Sequence, residues 1–262
     1  MHVYLYDGAI ATSLDLAEIG GYARSLLRDA RVEVREDFTT YCLSRFPPQE
    51  KEALASSLAL RLARTKVRDL TSRRMDFEPL PGEIEYERKR LLNPSQKSFG
   101  ILYDGLELQK IYLDLTPVDE QKYTCLHIIF TNQLFGTWDY GDHRYHARVS
   151  ICSFPSILSS TGIVEAPAKP REFYLRKQMG VDYITLKREF SRRFIDYDDP
   201  RLTEVMKGYV MQAVFFHLRG EPFCEDPNCR LFNAHWQEEV IRAQIESEYE
   251  FCEKHTRILE QI

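Results

Sequence analysis

The segment TCLHIIFTN, residues 124–132, carries an almost unbroken run of apolar side chains between two polar ends. A strand that is buried on both faces has such a run, whereas a half-exposed strand alternates apolar and polar residues. The sequence therefore predicts that this segment is a central strand of a sheet covered on both sides. Such a strand needs paired neighbours, and the chain offers candidates before and after it.

The N-terminal part of the chain predicts two of these neighbours. HVYLYD (2–7) and RVEVRED (31–37) are short segments of alternating polarity, and a helical apolar pattern runs from Leu14 to Leu27 between them. A second helix is expected over residues 50–70, after the turn at Pro47 and Pro48. Strand, helix, strand and a further helix are typical of an α/β layer.

The middle of the chain predicts an insertion followed by more strands. Residues 66–97 mix charges and contain Pro79, Pro81-Gly82 and Asn93-Pro94 as breakers, which predicts an irregular insertion. The further strand candidates are SFGILYDG (98–105), LELQKIYLDL (106–115) and ARVSICSF (147–154). We therefore expect a mixed sheet with packed helices.

The last third predicts helices. One is expected to begin at Asp198-Asp199-Pro200, to run to His217 and to end at Gly220, since Pro is favoured in a first turn and Gly after a last one. Another is expected from Asn233 to Cys252. The predicted class is thus α/β (α+β), with a helical C-terminal third, as a single domain over residues 1–262.

Composition narrows the class of protein. The 262 residues are 44% hydrophobic, enough for a substantial core, and the net charge of −5 is interspersed along the chain. This balance disfavours a nucleic-acid partner. Neither a signal peptide nor an apolar run of about 18 residues is present, so we expect no membrane span and a cytoplasmic location. No pattern indicates an oligomeric state.

Three of the six cysteines are clustered near the C-terminus, at Cys224, Cys229 and Cys252. Structural zinc sites use four thiolate or imidazole ligands, and here a Cys-x(4)-Cys turn precedes a Cys-x-x-His pair that ends at His255. The sequence predicts one structural zinc ion in the region 217–255. The alternative is that the cysteines are small buried apolar side chains, the usual fate of a free cysteine.

The same stretch resembles the archaemetzincins. Their pattern is H-E-x-x-H-x-x-G-x-x-H-C, then four residues, C-x-M, seventeen residues and C-x-x-C, in which the later cysteines hold a structural zinc. AVFFHLRGEPFC (213–224) keeps the second histidine as His217, the glycine as Gly220 and the cysteine as Cys224. The whole chain also resembles an uncharacterised archaeal family described as metallopeptidases. The resemblance implies a zincin-like fold and a cytoplasmic protein.

The differences from that pattern fall on the catalytic positions. A zincin holds its catalytic zinc through two histidines one helical turn apart and a third ligand, with a glutamate as general base. Those positions hold Ala213, Phe223 and Val214 here, which leaves only His217. One imidazole cannot retain a catalytic zinc, so we expect the usual site to be absent.

A rebuilt metal site would need ligands from elsewhere. His235 and Glu239 are one helical turn apart and could join His217, with Glu238 as the base, although helix-start glutamates are commonly only stabilising. This set would hold a second metal ion. A weaker candidate combines Asp142, His143 and His146, because residues three apart on a strand point to opposite faces.

Three functions fit these observations. The first is a metallopeptidase or related hydrolase with an altered site, which the family resemblance favours. The second is a zinc-stabilised inactive relative that binds a peptide or protein beside a sheet edge, which the missing ligands favour. The third is a nucleic-acid accessory factor that uses the basic residues of 66–97, which the overall acidity disfavours.

Overall fold

The computed structural model describes residues 1–73, 77–93 and 95–261. This part of the chain forms two compact units: the first combines residues 1–10 with 31–162, and the second combines 11–30 with 163–262. The first unit holds the sheets, and the second is mainly helical, so the α/β class predicted from the sequence is confirmed. A compact unit need not fold alone, and the single domain stays a prediction.

The described residues form eight strands. They are β1 (His2–Gly8), β2 (Arg31–Glu36), β3 (Leu102–Asp104), β4 (Cys125–Thr131), β5 (Leu134–Asp139), β6 (Arg144–Arg148), β7 (Ser150–Ile151) and β8 (Ser156–Ser159).

The same residues form eleven α-helices. They are α1 (Leu16–Leu26), α2 (Phe38–Ser44), α3 (Pro48–Arg64), α4 (Pro81–Leu92), α5 (Gly105–Leu115), α6 (Ser160–Glu165), α7 (Arg171–Gln178), α8 (Tyr183–Phe190), α9 (Leu202–Arg219), α10 (Gln237–Ile241) and α11 (Glu253–Leu259). A 3-10 turn covers Val118–Glu120, and a π-helical segment, Arg242–Glu246, follows α10.

The first unit contains a five-stranded sheet in the order β2-β1-β4-β8-β7. The first four strands are parallel, and β7 pairs antiparallel with β8 at the edge. All seven residues of β4 are buried, so the predicted central strand is confirmed. A second sheet, β3-β5-β6, contains one parallel and one antiparallel pair.

Several early predictions are confirmed. The strands predicted at 2–7 and 31–37 and the helix within 14–27 correspond to β1, β2 and α1. The helix predicted at 50–70 is α3, which begins earlier, with Pro48 in its first turn, and ends at Arg64. Aromatic rings fill the core of the first unit, where Tyr6 and Phe38 meet edge to face at 4.9 Å between ring centroids. The apolar patterns in the sequence therefore identify correctly the side chains that pack between these strands and helices.

The prediction of a strand at 106–115 is wrong, because this segment is α5. The side chain of Asp104 accepts hydrogen bonds from the amides of Leu106 and Glu107, each at 3.0 Å, and so caps the helix. Leu108, Ile111 and Tyr112 then form a buried face at helical spacing. The preceding strand shrinks accordingly to the three residues of β3.

The irregular insertion at 66–97 is also partly wrong. Pro81 does not break structure but opens α4 from its first position, and Glu83 accepts a hydrogen bond from the amide of Leu80 at 2.8 Å. Residues 74–76 and 94 of this range, including the predicted breaker Pro94, lie outside the described residues. The predicted strand at 147–154 divides: its start completes β6 in the small sheet, and β7 joins the large sheet.

The second unit departs from prediction at two helix ends. Helix α9 begins at Leu202, after Pro200, because Asp199 accepts a hydrogen bond from the Arg201 amide at 2.9 Å and holds a turn there. Its C-terminal end at Gly220 (φ 75°) is as predicted. The helix predicted from Asn233 to Cys252 is instead α10 and a π-helical segment that ends at Glu246.

Among the described residues, no helix combines the length and apolar character that a membrane crossing requires.

Candidate metal centre

A tight turn in the second unit brings two of the cysteines together. The Cys224 amide donates to the Leu231 carbonyl at 2.8 Å, and the Cys229 amide donates to the Asp226 carbonyl at 3.0 Å. Asp226 also accepts a hydrogen bond on its side chain from the Asn228 amide at 3.0 Å. These bonds close the Cys-x(4)-Cys segment on itself, so both sulfurs are held by local backbone geometry.

Backbone amides also point at the sulfurs of this turn. The Asp226 amide lies 3.4 Å from Cys224 Sγ, and the amide of Leu231 bonds to Cys229. Each donor is two residues beyond the cysteine that it contacts. Amide donors favour the thiolate over the thiol. The thiolate is the form that binds metal.

The other two candidate ligands lie at the start of α11. Cys252 is the N-cap residue, and its carbonyl accepts hydrogen bonds from the amides of His255 and Thr256 at 3.0 and 2.9 Å. His255 is only 3% exposed, and its ring meets the edge of Phe215 at 5.2 Å between centroids. The expected pair on one helix is thus one cap residue and one first-turn residue, which still brings both side chains to one place.

The four ligand atoms converge. Cys224 Sγ lies 3.8 Å from Cys252 Sγ, while His255 Nδ1 lies 3.7 Å from Cys229 Sγ and 3.0 Å from Cys252 Sγ. All four lie within 4.8 Å of one another. Zn–S bonds of about 2.3 Å in a tetrahedron place sulfurs about 3.7 Å apart, so the donor set fits one zinc ion.

Burial sets the protonation of the metal-free cluster. Desolvation raises the pKa of Cys229 to about 12 and also raises the pKa of Cys224, while it lowers the pKa of His255. The Cys224 and Cys229 thiols are therefore protonated at neutral pH, and the His255 imidazole is neutral. A divalent cation here would displace the thiol protons, so binding is coupled to proton release.

The turn is anchored from behind by α9 and the π-helical segment. Arg230 forms ion pairs with Glu204 and Glu250, and its carbonyl accepts a hydrogen bond from Gln244 Nε2 at 2.9 Å. Gln244 in turn packs on Gly208, where an added Cβ would lie 1.8 Å from its Oε1. A side chain at position 208 would displace the Gln244 amide from this contact. The cluster is therefore connected to the helical core of its unit through Arg230 and Gln244.

The candidate ligands of a rebuilt catalytic site make other contacts in the structure. Glu239 Oε2 accepts hydrogen bonds from the amides of His235 and Trp236 at 2.8 and 2.9 Å and so caps α10. Glu238 pairs with Arg193 at 2.7 Å. In the part of the chain that the structure describes, His217, His235 and Glu239 are not among the groups whose ligand atoms converge. Their catalytic role stays a prediction.

Apolar residues occupy the three positions at which the zincin pattern has its catalytic residues, and two of the three are buried. Ala213 and Val214 are fully buried on α9, and Phe223 is exposed beyond its end. No described carboxylate or imidazole takes their place beside His217 in a convergent group. Ala213 and Val214 are thus part of the buried packing surface of α9.

A second convergent group lies on the hairpin between β5 and β6 in the first unit. It consists of Asp139, Asp142 and His146, and His146 Nε2 lies 2.7 Å from an Asp142 carboxylate oxygen. His143, with φ 53°, is not part of it. The sequence candidate of Asp142, His143 and His146 thus includes two members of the group, Asp142 and His146. The third member is Asp139 rather than His143, and the short spacing Asp-x-x-Asp is the signal that indicates it. The group is solvated and its bonds are those of a tight turn.

Comparison with known proteins identifies the family. Residues 1–262 match the family described as "Probable metallopeptidase family (DUF6775)", and the chain therefore belongs to that family. No curated protein and no solved structure matches the chain.

Proposed function

We propose that this member of the probable metallopeptidase family binds one structural zinc ion and recognises a peptide or protein without a zincin-type catalytic centre on α9. One observation carries the proposal: three thiols and one imidazole converge in the second unit. The positions that would hold catalytic zinc carry Ala213, Val214 and Phe223 instead.

The donor set supports a structural rather than a catalytic metal. Four protein ligands complete a tetrahedral zinc site, whereas a catalytic zinc keeps one position open for water or substrate. Zinc here would connect the 224–229 turn to the start of α11. These two segments do not belong to one helix or one strand pair. Metal binding would then contribute directly to the folding free energy of this region.

We extend this proposal to the finer resemblance with archaemetzincins. Its support is the order His217, Gly220, Cys224 and Cys229 at the end of a long helix, with Gly220 in the left-handed conformation that turns the chain toward the cysteines. The first cysteine of the later pair in that pattern is Tyr249 here, and His255 supplies the fourth ligand in its place.

An edge strand of the large sheet supports the choice of a peptide or protein as the partner. Strand β7 has two residues and pairs only with β8 among the described residues, so an extended chain could add to its outer side. The opposite edge strand, β2, carries Arg31, Glu33, Arg35 and Glu36, and such charges discourage strand addition. Nucleic acid stays disfavoured as a partner, and the cytoplasmic location stays a prediction.

Zinc stoichiometry separates this proposal from a hydrolase with a rebuilt site. We expect purified protein to contain one zinc per chain by elemental analysis, with the same value after His217→Ala or His235→Ala. Neither substitution touches the four convergent side chains, so the measured ratio should not fall.

The competing hydrolase makes the opposite prediction. Two zinc ions per chain, one of them lost in His217→Ala, would contradict our proposal. So would chelator-sensitive cleavage of an unfolded protein that disappears in Glu239→Gln, because glutamine preserves the cap of α10 and the loss would then be catalytic.

A further inference from the structure

A small polar cavity lies in the first unit at the carboxyl ends of β1 and β4. Strand β2 lies on one side of β1 and β4 on the other, so the sheet order changes direction at this point. In open parallel sheets, ligands bind in the crevice at such a switch point. The cavity encloses about 30 Å³, and a single water molecule needs about 10 to 15 Å³ by the same measure. It therefore has room for a ligand of several atoms.

One buried amide group in the cavity wall has an unused donor. Gln133 is 1% exposed and lines the cavity, and its Oε1 accepts a hydrogen bond from the Tyr112 hydroxyl at 2.7 Å. Its Nε2 has no hydrogen-bond partner among the described residues. A buried N–H without an acceptor lowers the stability of the folded protein by about 1 to 3 kcal/mol. An acceptor bound in the cavity would remove this cost.

Arg90 supplies a second donor to the same wall. Its Nε donates to Glu87 at 3.2 Å, which leaves Nη1 and Nη2 without a partner among the residues that the structure describes. Glu87 also pairs with Lys66 at 2.8 Å and accepts a hydrogen bond from the Tyr103 hydroxyl at 2.9 Å. Two cations thus share one carboxylate, so Glu87 alone does not balance both charges. Arg90 is the one cationic side chain among the described residues that line the cavity, and it offers the cavity a guanidinium group.

One acidic side chain, Asp37, also lines the cavity. Its Oδ1 accepts three hydrogen bonds, from the Thr39 hydroxyl at 2.6 Å and from the amide and hydroxyl of Thr40 at 2.9 and 3.1 Å. Its Oδ2 packs so closely on Gly8 that an added Cβ would lie 2.6 Å from it. The carboxylate is therefore already solvated by the protein and tied to the cavity rim.

One residue that lines the cavity has a strained backbone. Ile10 lines it with φ 50°, a left-handed conformation that β-branched residues rarely adopt. Strain of this kind persists where the surrounding structure requires it and is concentrated at binding sites.

We propose that this cavity binds a small oxyanion, with the Arg90 guanidinium and Gln133 Nε2 as its donors. A planar fork beside an amide N–H matches the acceptor oxygens of a carboxylate or phosphate group. The site is separate from the cysteine cluster and does not rest on the proposed zinc function.

Calorimetric titration of the intact protein with inorganic phosphate, and separately with acetate, tests the proposal. We expect saturable binding with one site per chain, weakened at least tenfold in Gln133→Glu. That substitution keeps the side-chain size and the acceptor for Tyr112 but replaces the donor by a negative charge. Arg90→Lys, which keeps the charge beside Glu87 but removes the fork, should weaken binding at least fivefold. The exposed neighbour variant Lys89→Gln should bind as the wild type does.

The relative affinities identify the source of the anion, since tighter phosphate binding indicates a phosphoryl group and tighter acetate binding a carboxylate. The absence of saturable binding for both anions would show a cavity filled by water only and would overturn the proposal. Binding that stays within twofold of wild type in both Gln133→Glu and Arg90→Lys would also overturn it, provided that circular dichroism shows both variants folded.

Discussion

Replacing Cys229 by serine is expected to abolish zinc binding and to lower the melting temperature by about 10 °C, because each kcal/mol lost shifts the midpoint by about 2 to 4 °C in a chain of this size. Cys229 is fully buried and contacts His255, so no solvent ligand can replace its sulfur. Structural zinc contributes about 10 to 16 kcal/mol in small zinc-dependent peptides, and we expect a fraction of that in this larger protein. Elemental analysis and thermal unfolding by circular dichroism measure both effects.

The matched control for this variant is Cys152→Ser. Cys152 lies outside the cluster, in the first unit, and should leave zinc content unchanged. An equal zinc content and melting temperature for Cys229→Ser and wild type would show that the cysteines are only small buried side chains.

Replacing Glu87 by alanine is expected to lower the free energy of unfolding by about 3 to 5 kcal/mol, the usual cost of removing one partner from a buried ion pair. Glu87 is fully buried, and its carboxylate is the shared partner of Lys66 and Arg90, whose side chains are 8% and 11% exposed. Without it, two buried cations face each other without compensation. Urea denaturation at neutral pH measures the change.

Glu85→Ala is the control on the same helix. Glu85 pairs with Arg88 at the surface, where ion pairs are screened by water, so the unfolding midpoint should stay close to wild type. If Glu87→Ala and Glu85→Ala had the same small effect, the buried ion-pair cluster would not stabilise the first unit as its geometry indicates.

The parts of the fold that the sequence predicts are those set by local composition. The apolar run of β4 predicts a buried strand and Gly220 predicts the end of a helix, and both are correct because each signal is contained within a few residues. The wrong strand at 106–115 has an equally local cause. Leu108, Ile111 and Tyr112 have helical spacing, and the Asp104 side chain just before them caps the helix.

The same distinction applies to the two candidate sites. The cysteine cluster can be predicted from the sequence because the Cys-x(4)-Cys turn and the Cys-x-x-His pair each indicate metal binding within a few residues. The oxyanion cavity cannot be predicted in this way. Ile10, Arg90 and Gln133 are far apart in sequence and line one cavity only because of the strand order and the packing of α4. The sequence predicts Pro81 as a breaker and Arg90 as part of an irregular insertion, whereas Pro81 begins α4 and Arg90 lies on that helix.

Zinc K-edge X-ray absorption on the purified protein tests the central claim most directly, because it counts and identifies the atoms bound to the metal. We predict one zinc per chain with three sulfur neighbours at about 2.3 Å and one nitrogen neighbour at about 2.0 to 2.1 Å. A protein without zinc, or a zinc ion surrounded mainly by oxygen and nitrogen, would contradict the assignment of Cys224, Cys229, Cys252 and His255 as the metal centre.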